Sequence, residues 1–390
     1  MKKKIAILGS TGSIGTNTLE IIKKNKSIFE ISVLAAGSNF NKISKQIKMY
    51  KPKNFIISDK LTFKKIQKKF KDISNTNIYN SVENYKTKKK IDITVSAIPG
   101  IAGLSPTLYF TKISKKILLA NKESIICGWD VINKISKKNN TIIIPIDSEH
   151  FSIQRLIENY KPNEIEKIYI TASGGPFLRR PIKKFNSIKP KDAIKHPKWK
   201  MGNKISIDSA TLMNKILELI EAYRIFPFAP NTYKIIIHPQ SLVHAIVRFK
   251  NGITKLLYHE PNMKIPLANA IFNFKIKTNQ FMNNNKLCGL ENLTFENVDK
   301  RRYPVIKLLP KLNNYPAEGI IINAVNEILI DQFIKKKISF NAISHYLFKV
   351  LKDKFYKKYA IKKPVNLKSI LLIDEWARNT TLKKLKTKLR

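Results

Sequence analysis

The chain has 390 residues, more than a single hydrophobic core usually sustains, so two or three domains are expected. Hydrophobic residues make up 43% and aromatics 9%, which excludes a disordered polyelectrolyte. Lys and Arg number 73 against 27 Asp and Glu, a formal net charge of +46, yet the lysines run along the whole chain together with inflated Ile and Asn. That spread reads more as a compositional bias of the coding genome than as a polyanion-binding surface, although attraction of anionic substrates follows either way. The two cysteines, Cys127 and Cys288, are too few and too distant for a disulfide framework or a thiolate metal site. The apolar segment of the N-terminus "MKKKIAILGSTGSIG" is too short for a signal-peptide core, and no run of about 18 apolar residues offers a membrane span. A cytoplasmic protein with no membrane partner is expected.

Residues 5–8 read as a buried parallel strand. Gly9, Gly12 and Gly15 follow in G-x-x-G-x-x-G spacing and open a helical stretch over 16–24, the elements of a phosphate-binding βα unit. A tight turn in an α/β fold would read the same way. A second strand, 31–36, ends in "AGSN", where an NAD site usually places an acid for the ribose 2′-hydroxyl. None is present, and Ser38 and Asn39 can donate hydrogen bonds to a 2′-phosphate, so NADP is favoured, against the lack of a basic residue at 38. Further strands are suggested at 54–57, 91–97, 116–119 and 141–144, with lysine-rich amphipathic segments between them, which argues for a doubly wound parallel sheet of Rossmann type. Parallel sheets bind ligands beyond the carboxyl ends of their strands. The loops "SAIPGIAG", "ANKES" and "PIDSEH" occupy that edge, so Asp147, Glu149 and Lys122 are expected there.

After a strand at 167–170 comes a long Pro-punctuated segment, 171–204, that reads as a lid or as a surface loop. His196 in it, and His244 in the strand-like "SLVHAIVRF", are by themselves more often structural than catalytic. Residues 205–226 read as one helix capped by Asp208 or Ser209, with Leu212, Ile216, Leu219, Ile220 and Tyr223 as an apolar stripe. Thr211, Asn214, Lys215, Glu218 and Glu221 line the other side, either as a solvated face or as ligands. In the second reading the helix start is an anion site and Glu218 joins Asp147 and Glu149, three hard oxygen ligands suited to Mg²⁺ or Mn²⁺. Helical periodicity over 317–337, 340–354 and 367–386 predicts a C-terminal helical domain of structural role, joined by an Asn-rich linker around 281–292.

The ordered set "GSTGSIG", "LLANKESI", "PIDSEH", "SGGPF", "HPKWKMGNKISIDSATLMNKILELIEA" and "HPQSLVHAIV" resembles the 1-deoxy-D-xylulose 5-phosphate reductoisomerase family, with looser continuation in "NAVNEI" and "IDEWAR". The resemblance implies an NADPH- and divalent-metal-dependent conversion of that phosphosugar to 2-C-methyl-D-erythritol 4-phosphate in non-mevalonate isoprenoid synthesis, by a homodimer. It implies an N-terminal NADP-binding domain over 1–147 and a central α+β catalytic domain over 148–275 that carries a lid at 173–203 and the dimer interface. A linker at 276–300 and a helical domain at 301–390 complete the division. Asp147, Glu149 and Glu218 would hold the metal. Ser173, Ser209, Asn214 and Lys215 would hold the phosphate, with His244 supporting that side. Lys122 and Ser148 would contact the reacting oxygens, and His196, Trp199 and Met201 would belong to the lid. Gly9, Thr11, Gly12, Ser13, Ile14, Gly37, Ser38, Asn39, Asn121, Glu123 and Gly202 would contact NADPH. Two rival readings stay open: another dehydrogenase with a catalytic cysteine, for which Cys127 lacks the setting, and a basic nucleic-acid-binding protein on a Rossmann scaffold.

Overall fold

The structure is a computed structural model that describes residues 2–71, 75–196, 198–199, 202–276 and 292–386. It divides into two compact units. The first comprises 2–124, 129–151 and 263–276 of the described residues, and the second 125–128, 152–262 and 292–386. These units cut the chain differently from the expected division: residues 263–276 belong with the N-terminal unit, and the C-terminal helices belong with 152–262. The linker proposed around 281–292, Cys288 and the lid residue Met201 lie outside the described residues or at their edge.

The first unit is built on a seven-stranded sheet of order β4-β3-β2-β1-β5-β6-β7. Its strands are β1 (Lys3–Leu8), β2 (Phe29–Ala36), β3 (Asn54–Ile57), β4 (Asn77–Tyr79), β5 (Ile91–Ser96), β6 (Ser114–Leu119) and β7 (Ile142–Pro145). Every pairing is parallel. The apolar runs suggested as strands are strands because both faces are covered: Ile5, Ile7, Leu34, Phe55, Val95 and Leu118 are all within 3% of full burial in one core. The three-residue β4 was not anticipated, being too short to carry a period. The helix Lys264–Phe272 packs on the helix Ser13–Lys23 and on β6, placing Leu267, Ala270 and Ile271 in the same core.

The second unit holds a mixed four-stranded sheet of order β11-β10-β8-β9: β8 (Ile165–Ala172), β9 (Tyr233–Ile237), β10 (Val243–Phe249) and β11 (Thr254–Tyr258). The segment expected as a single helix over 205–226 is two helices, Asn203–Ala210 and Met213–Ile225, broken at Leu212 with φ 63°. Asp208 therefore lies inside the first helix and is no cap. Residues 177–193 of the expected lid are a packed element. They form the short helices Ile182–Ser187 and Pro190–Ala193, with Phe177, Phe185, Ile188 and Ala193 buried and the Arg302 guanidinium donating to the carbonyls of Phe177 and Arg180. The C-terminal helices run Glu318–Ile334, Phe340–Leu351 and Leu367–Lys386, with a short one at Tyr356–Ala360. No helix among the described residues is long and apolar enough to cross a membrane.

Candidate active site

In the first unit the parallel register brings Leu8, Ala35, Ser96, Leu119 and Pro145 to one sheet edge, so the loops after β1, β2, β5, β6 and β7 open on the same side. Gly9 has φ +85°, and a Cβ there would stand 2.5 Å from the Ala97 carbonyl oxygen, so the loop passes the end of β5 at a distance only glycine permits. The helix Ser13–Lys23 begins directly after Gly12, with no acid in its first turn to compete for its N–H groups. Thr11, Gly12, Ser13 and Ile14 thus form the turn and first residues of an anion-ready helix start. After β2, Gly37 and Ser38 lead to Asn39, which caps the helix Phe40–Tyr50 by accepting from the Lys42 N–H at 3.0 Å.

The Lys42 ammonium lies 3.0 Å from the Thr11 carbonyl, beside both the glycine loop and the "GSN" turn. Sequence reasoning missed it. Position 38 lacks a cation, and this ammonium comes from three residues past the helix cap, a spacing that could have been read from the cap itself.

At the other end of this edge, Asn121 caps the helix Lys122–Asn139 by accepting from Ser124 N–H at 2.6 Å. Its amide donates to the carbonyls of Ile98 and Gly100 and to Glu123 Oε2, tying the "SAIPG" and "ANKES" loops together. Lys122 Nζ stands 3.0 Å from Asp147 Oδ2, with side chains only 11% and 19% exposed. Ser148 Oγ donates to Glu149 Oε2 at 2.5 Å, both buried. Of the three loops, "PIDSEH" therefore brings two carboxylates to the strand ends, one already facing an ammonium.

In the second unit Ser173 follows β8. Gly175, at φ +68°, lies so close to the helix Asn203–Ala210 that a Cβ would meet Ser209 O and Ala210 Cα at 2.8 Å. Ser173 Oγ is 2.9 Å from His196 Nε2 and 3.4 Å from Ser209 Oγ, and it accepts from Gly175 N–H at 3.1 Å. His196 Nδ1 accepts the backbone N–H groups of Lys198 and Trp199, at 3.2 and 2.9 Å, so its proton sits on Nε2 and is donated to Ser173. Burial, reinforced by the Lys215 charge, pushes the His196 imidazole down to about 4. With a neutral His196 and a backbone N–H both donating to its oxygen, Ser173 can point its own hydrogen outward.

Past the corner at Leu212, Lys215 Nζ reaches Glu218 Oε2 at 2.5 Å, and the Asn214 amide bonds the other oxygen of the same carboxylate. Lys215, Glu218 and Glu221 are all more than 90% buried, which settles the two readings of the polar stripe against a solvated face. Ser209, in contrast, lies in the last turn of the helix before the corner, so the residues expected at one helix start are divided, with Ser209 on one arm and Asn214 and Lys215 on the other. His244 on β10 donates through Nε2 to the His259 carbonyl at 3.1 Å, and its ring stacks on that of His259 at 3.7 Å and meets Trp199 edge-on at 6.0 Å. Burial, with His259 beside it, holds His244 well below the ordinary imidazole range. His259 is a second residue that sequence reasoning missed. Gly202 directly precedes the helix Asn203–Ala210 as its N-cap.

Comparison with known proteins decides the family. The model described as 1-deoxy-D-xylulose 5-phosphate reductoisomerase matches residues 5–128, and two models of the C-terminal domains of that enzyme match 143–226 and 259–380. A 1-deoxy-D-xylulose 5-phosphate reductoisomerase of Pelagibacter ubique (strain HTCC1062) is 45% identical over 380 residues, 96% of this chain and 97% of that one. The chain belongs to the 1-deoxy-D-xylulose 5-phosphate reductoisomerase family. Two solved structures of reductoisomerases share the fold. One, in complex with NADPH, fosmidomycin and magnesium, has a TM-score of 0.91 at 33% identity over 98% of each chain. The other, from Zymomonas mobilis in complex with NADPH, has a TM-score of 0.88 at 30% identity over 99% of each. A reductoisomerase accounts for both residue sets, one on each unit, and leaves no part for a catalytic cysteine: Cys127 is 2% exposed within the helix Lys122–Asn139.

Proposed function

We infer that this chain converts 1-deoxy-D-xylulose 5-phosphate to 2-C-methyl-D-erythritol 4-phosphate with NADPH and a divalent cation, Mg²⁺ or Mn²⁺, in isoprenoid precursor biosynthesis. The observation that carries the reading is the reductoisomerase match along 96% of the chain, joined to a polar cluster of Ser173, Ser209, Asn214 and Lys215 whose chemistry suits an anion.

The phosphate is held by Ser173, Ser209, Asn214 and Lys215. His196 fixes the Ser173 rotamer by donating to it and, staying neutral, adds no proton that the substrate would have to displace. Binding energy gained at this remote group orients the carbon chain for reaction. Asp147, Glu149 and Glu218 are the cation ligands. The donor set fits: each is a hard oxygen ligand, and Asp147 and Glu218 each already face an ammonium, from Lys122 and Lys215, as carboxylates placed to meet positive charge do. When bound, such a cation acts as a Lewis acid that stabilises negative charge on the substrate's oxygens. Lys122, beside Asp147, donates hydrogen bonds to the reacting oxygens as the skeleton rearranges and is reduced, and Ser148, whose own hydrogen goes to Glu149, contacts the substrate beside it.

The turn from Gly9 to Ile14, with Gly37, Ser38 and Asn39, takes the dinucleotide, and Lys42 supplies the positive charge for its 2′-phosphate. Asn121, Glu123 and Gly202 complete the contacts. His196 and Trp199 close over the substrate and exclude water. A homodimer through the catalytic domain and a cytoplasmic location belong to the same reading. Loss of NADPH absorbance on adding 1-deoxy-D-xylulose 5-phosphate, abolished by EDTA and restored by Mg²⁺ or Mn²⁺, is the test; absorbance that stays constant with metal present sinks it.

A further inference from the structure

The helix Glu318–Ile334 belongs to the C-terminal part that carries no catalytic motif, yet two of its residues reach the helices of the phosphate site. At Gly319 a Cβ would stand 3.1 Å from Ile220 Cγ2 and equally far from Ile126 Cγ2, so this helix packs closely on the helix Met213–Ile225 and a larger residue would have to push those side chains aside by a few tenths of an ångström. Seven residues on, about two turns along the same face, Asn326 Nδ2 donates to Asp208 Oδ1 at 2.6 Å. Both residues are 1% exposed. The other oxygen of Asp208 is 3.3 Å from Lys204 Nζ within its own helix.

Between these two contacts lies the corner at Leu212. A branched, bulky residue in the left-handed region is strained, and such a conformation persists only where its surroundings over-determine it. Ser209 stands on one arm of the corner, next to Asp208, and Asn214 and Lys215 stand on the other. Rotation of the helix Asn203–Ala210 about its axis would carry Ser209 Oγ away from Ser173 Oγ, now 3.4 Å distant. A buried carboxylate must keep its hydrogen bonds, and a charge-assisted bond is directional, so the Asn326 amide fixes that rotation.

We propose that Asn326 is a positioning residue for the phosphate site: by gripping Asp208 while Gly319 seats on Ile220, the helix Glu318–Ile334 splints the corner at Leu212 and fixes Ser209 against Asn214 and Lys215. The inference rests on the phosphate-binding reading above. It assigns the C-terminal helices a part in substrate binding in addition to their structural one.

Steady-state NADPH oxidation by the full-length chain tests it. Asn326→Ala is expected to raise the KM for 1-deoxy-D-xylulose 5-phosphate at least tenfold while the KM for NADPH stays within twofold and kcat at saturation within fivefold. The exchange Asp208→Asn with Asn326→Asp returns a carboxylate and an amide to the same gap and is expected to bring the substrate KM back to within threefold of wild type. A substrate KM within twofold of wild type in folded Asn326→Ala overturns the proposal, as does a raised KM that the exchange leaves unchanged. Should Asn326→Ala not fold, Asn326→Ser takes its place, and failure of both to fold makes the pair a stability element only and equally overturns the proposal. Absence of turnover in the wild-type chain is a separate result, seen before any variant is made, and removes the functional reading instead.

Discussion

Lys215 Nζ and Glu218 Oε2 stand 2.5 Å apart on one face of the helix Met213–Ile225, with side chains 8% and 1% exposed. In the proposed function this one buried ion pair would serve two demands, a cation for the phosphate and a carboxylate for the metal. Each partner lowers the cost of burying the other, because an unpaired charge at that depth would be strongly destabilising.

Glu218→Gln keeps the shape of the side chain and removes its charge. A solvated helix residue would tolerate the change within about 0.5 kcal/mol. Here it removes the carboxylate from a buried ion pair, so a loss of stability of about 3 kcal/mol is expected from urea unfolding. Turnover should fall by orders of magnitude even at saturating Mg²⁺. Adding Lys215→Met should recover most of the stability and none of the activity. Near-wild-type turnover in Glu218→Gln at low metal concentration would remove Glu218 from the cation site.

Lys215→Ala is expected to raise the KM for substrate strongly, since a charge-assisted hydrogen bond to phosphate is worth roughly 1.5–3 kcal/mol. The affinity for NADPH, measured by fluorescence titration, should change little. An unaltered substrate KM places the phosphate elsewhere.

Lys42 gives the cofactor preference a residue. With no acid ending β2 and an ammonium 3.0 Å from the Thr11 carbonyl, NADPH should bind at least about tenfold better than NADH, a difference of about 1.4 kcal/mol. Lys42→Ala should weaken NADPH and leave NADH nearly unchanged. Equal losses for both dinucleotides would show that Lys42 acts on the fold of the loop and not on the 2′-phosphate.

Burial drives the imidazoles of both His196 and His259 down to about 4. Between about 6.5 and 4 the unfolded chain therefore binds more protons than the folded one, and stability is lost as pH falls through that window. The urea midpoint should drop between pH 7 and pH 5. His259→Phe, which can keep a ring against His244, should flatten that dependence. A slope identical to wild type would mean that His259 titrates normally.

The strands of the first sheet and the glycine turn were legible in the sequence because each is written locally. Short β-branched apolar runs alternating with amphipathic segments point to buried strands, a glycine triplet between strand and helix marks a close backbone approach, and two acids directly after a strand fall at the sheet's carboxyl edge. What the sequence could not contain were outcomes of packing between distant segments. "SIDSATLMNKI" has no proline or glycine and reads as continuous helix, yet it breaks at Leu212 where the helix Glu318–Ile334 bears on both of its arms. Glu218, on a polar stripe that by itself reads first as a solvated face, is buried to 1% by neighbouring elements. Lys42 met Thr11 across 31 residues, and His259 stacked on His244 across 15, because strand order and register brought their loops together. Local patterns fix which elements form and which chemistry they carry. Which side chains then share a site follows from how the buried faces of those elements fit, an energy spread over contacts that no short stretch of sequence specifies.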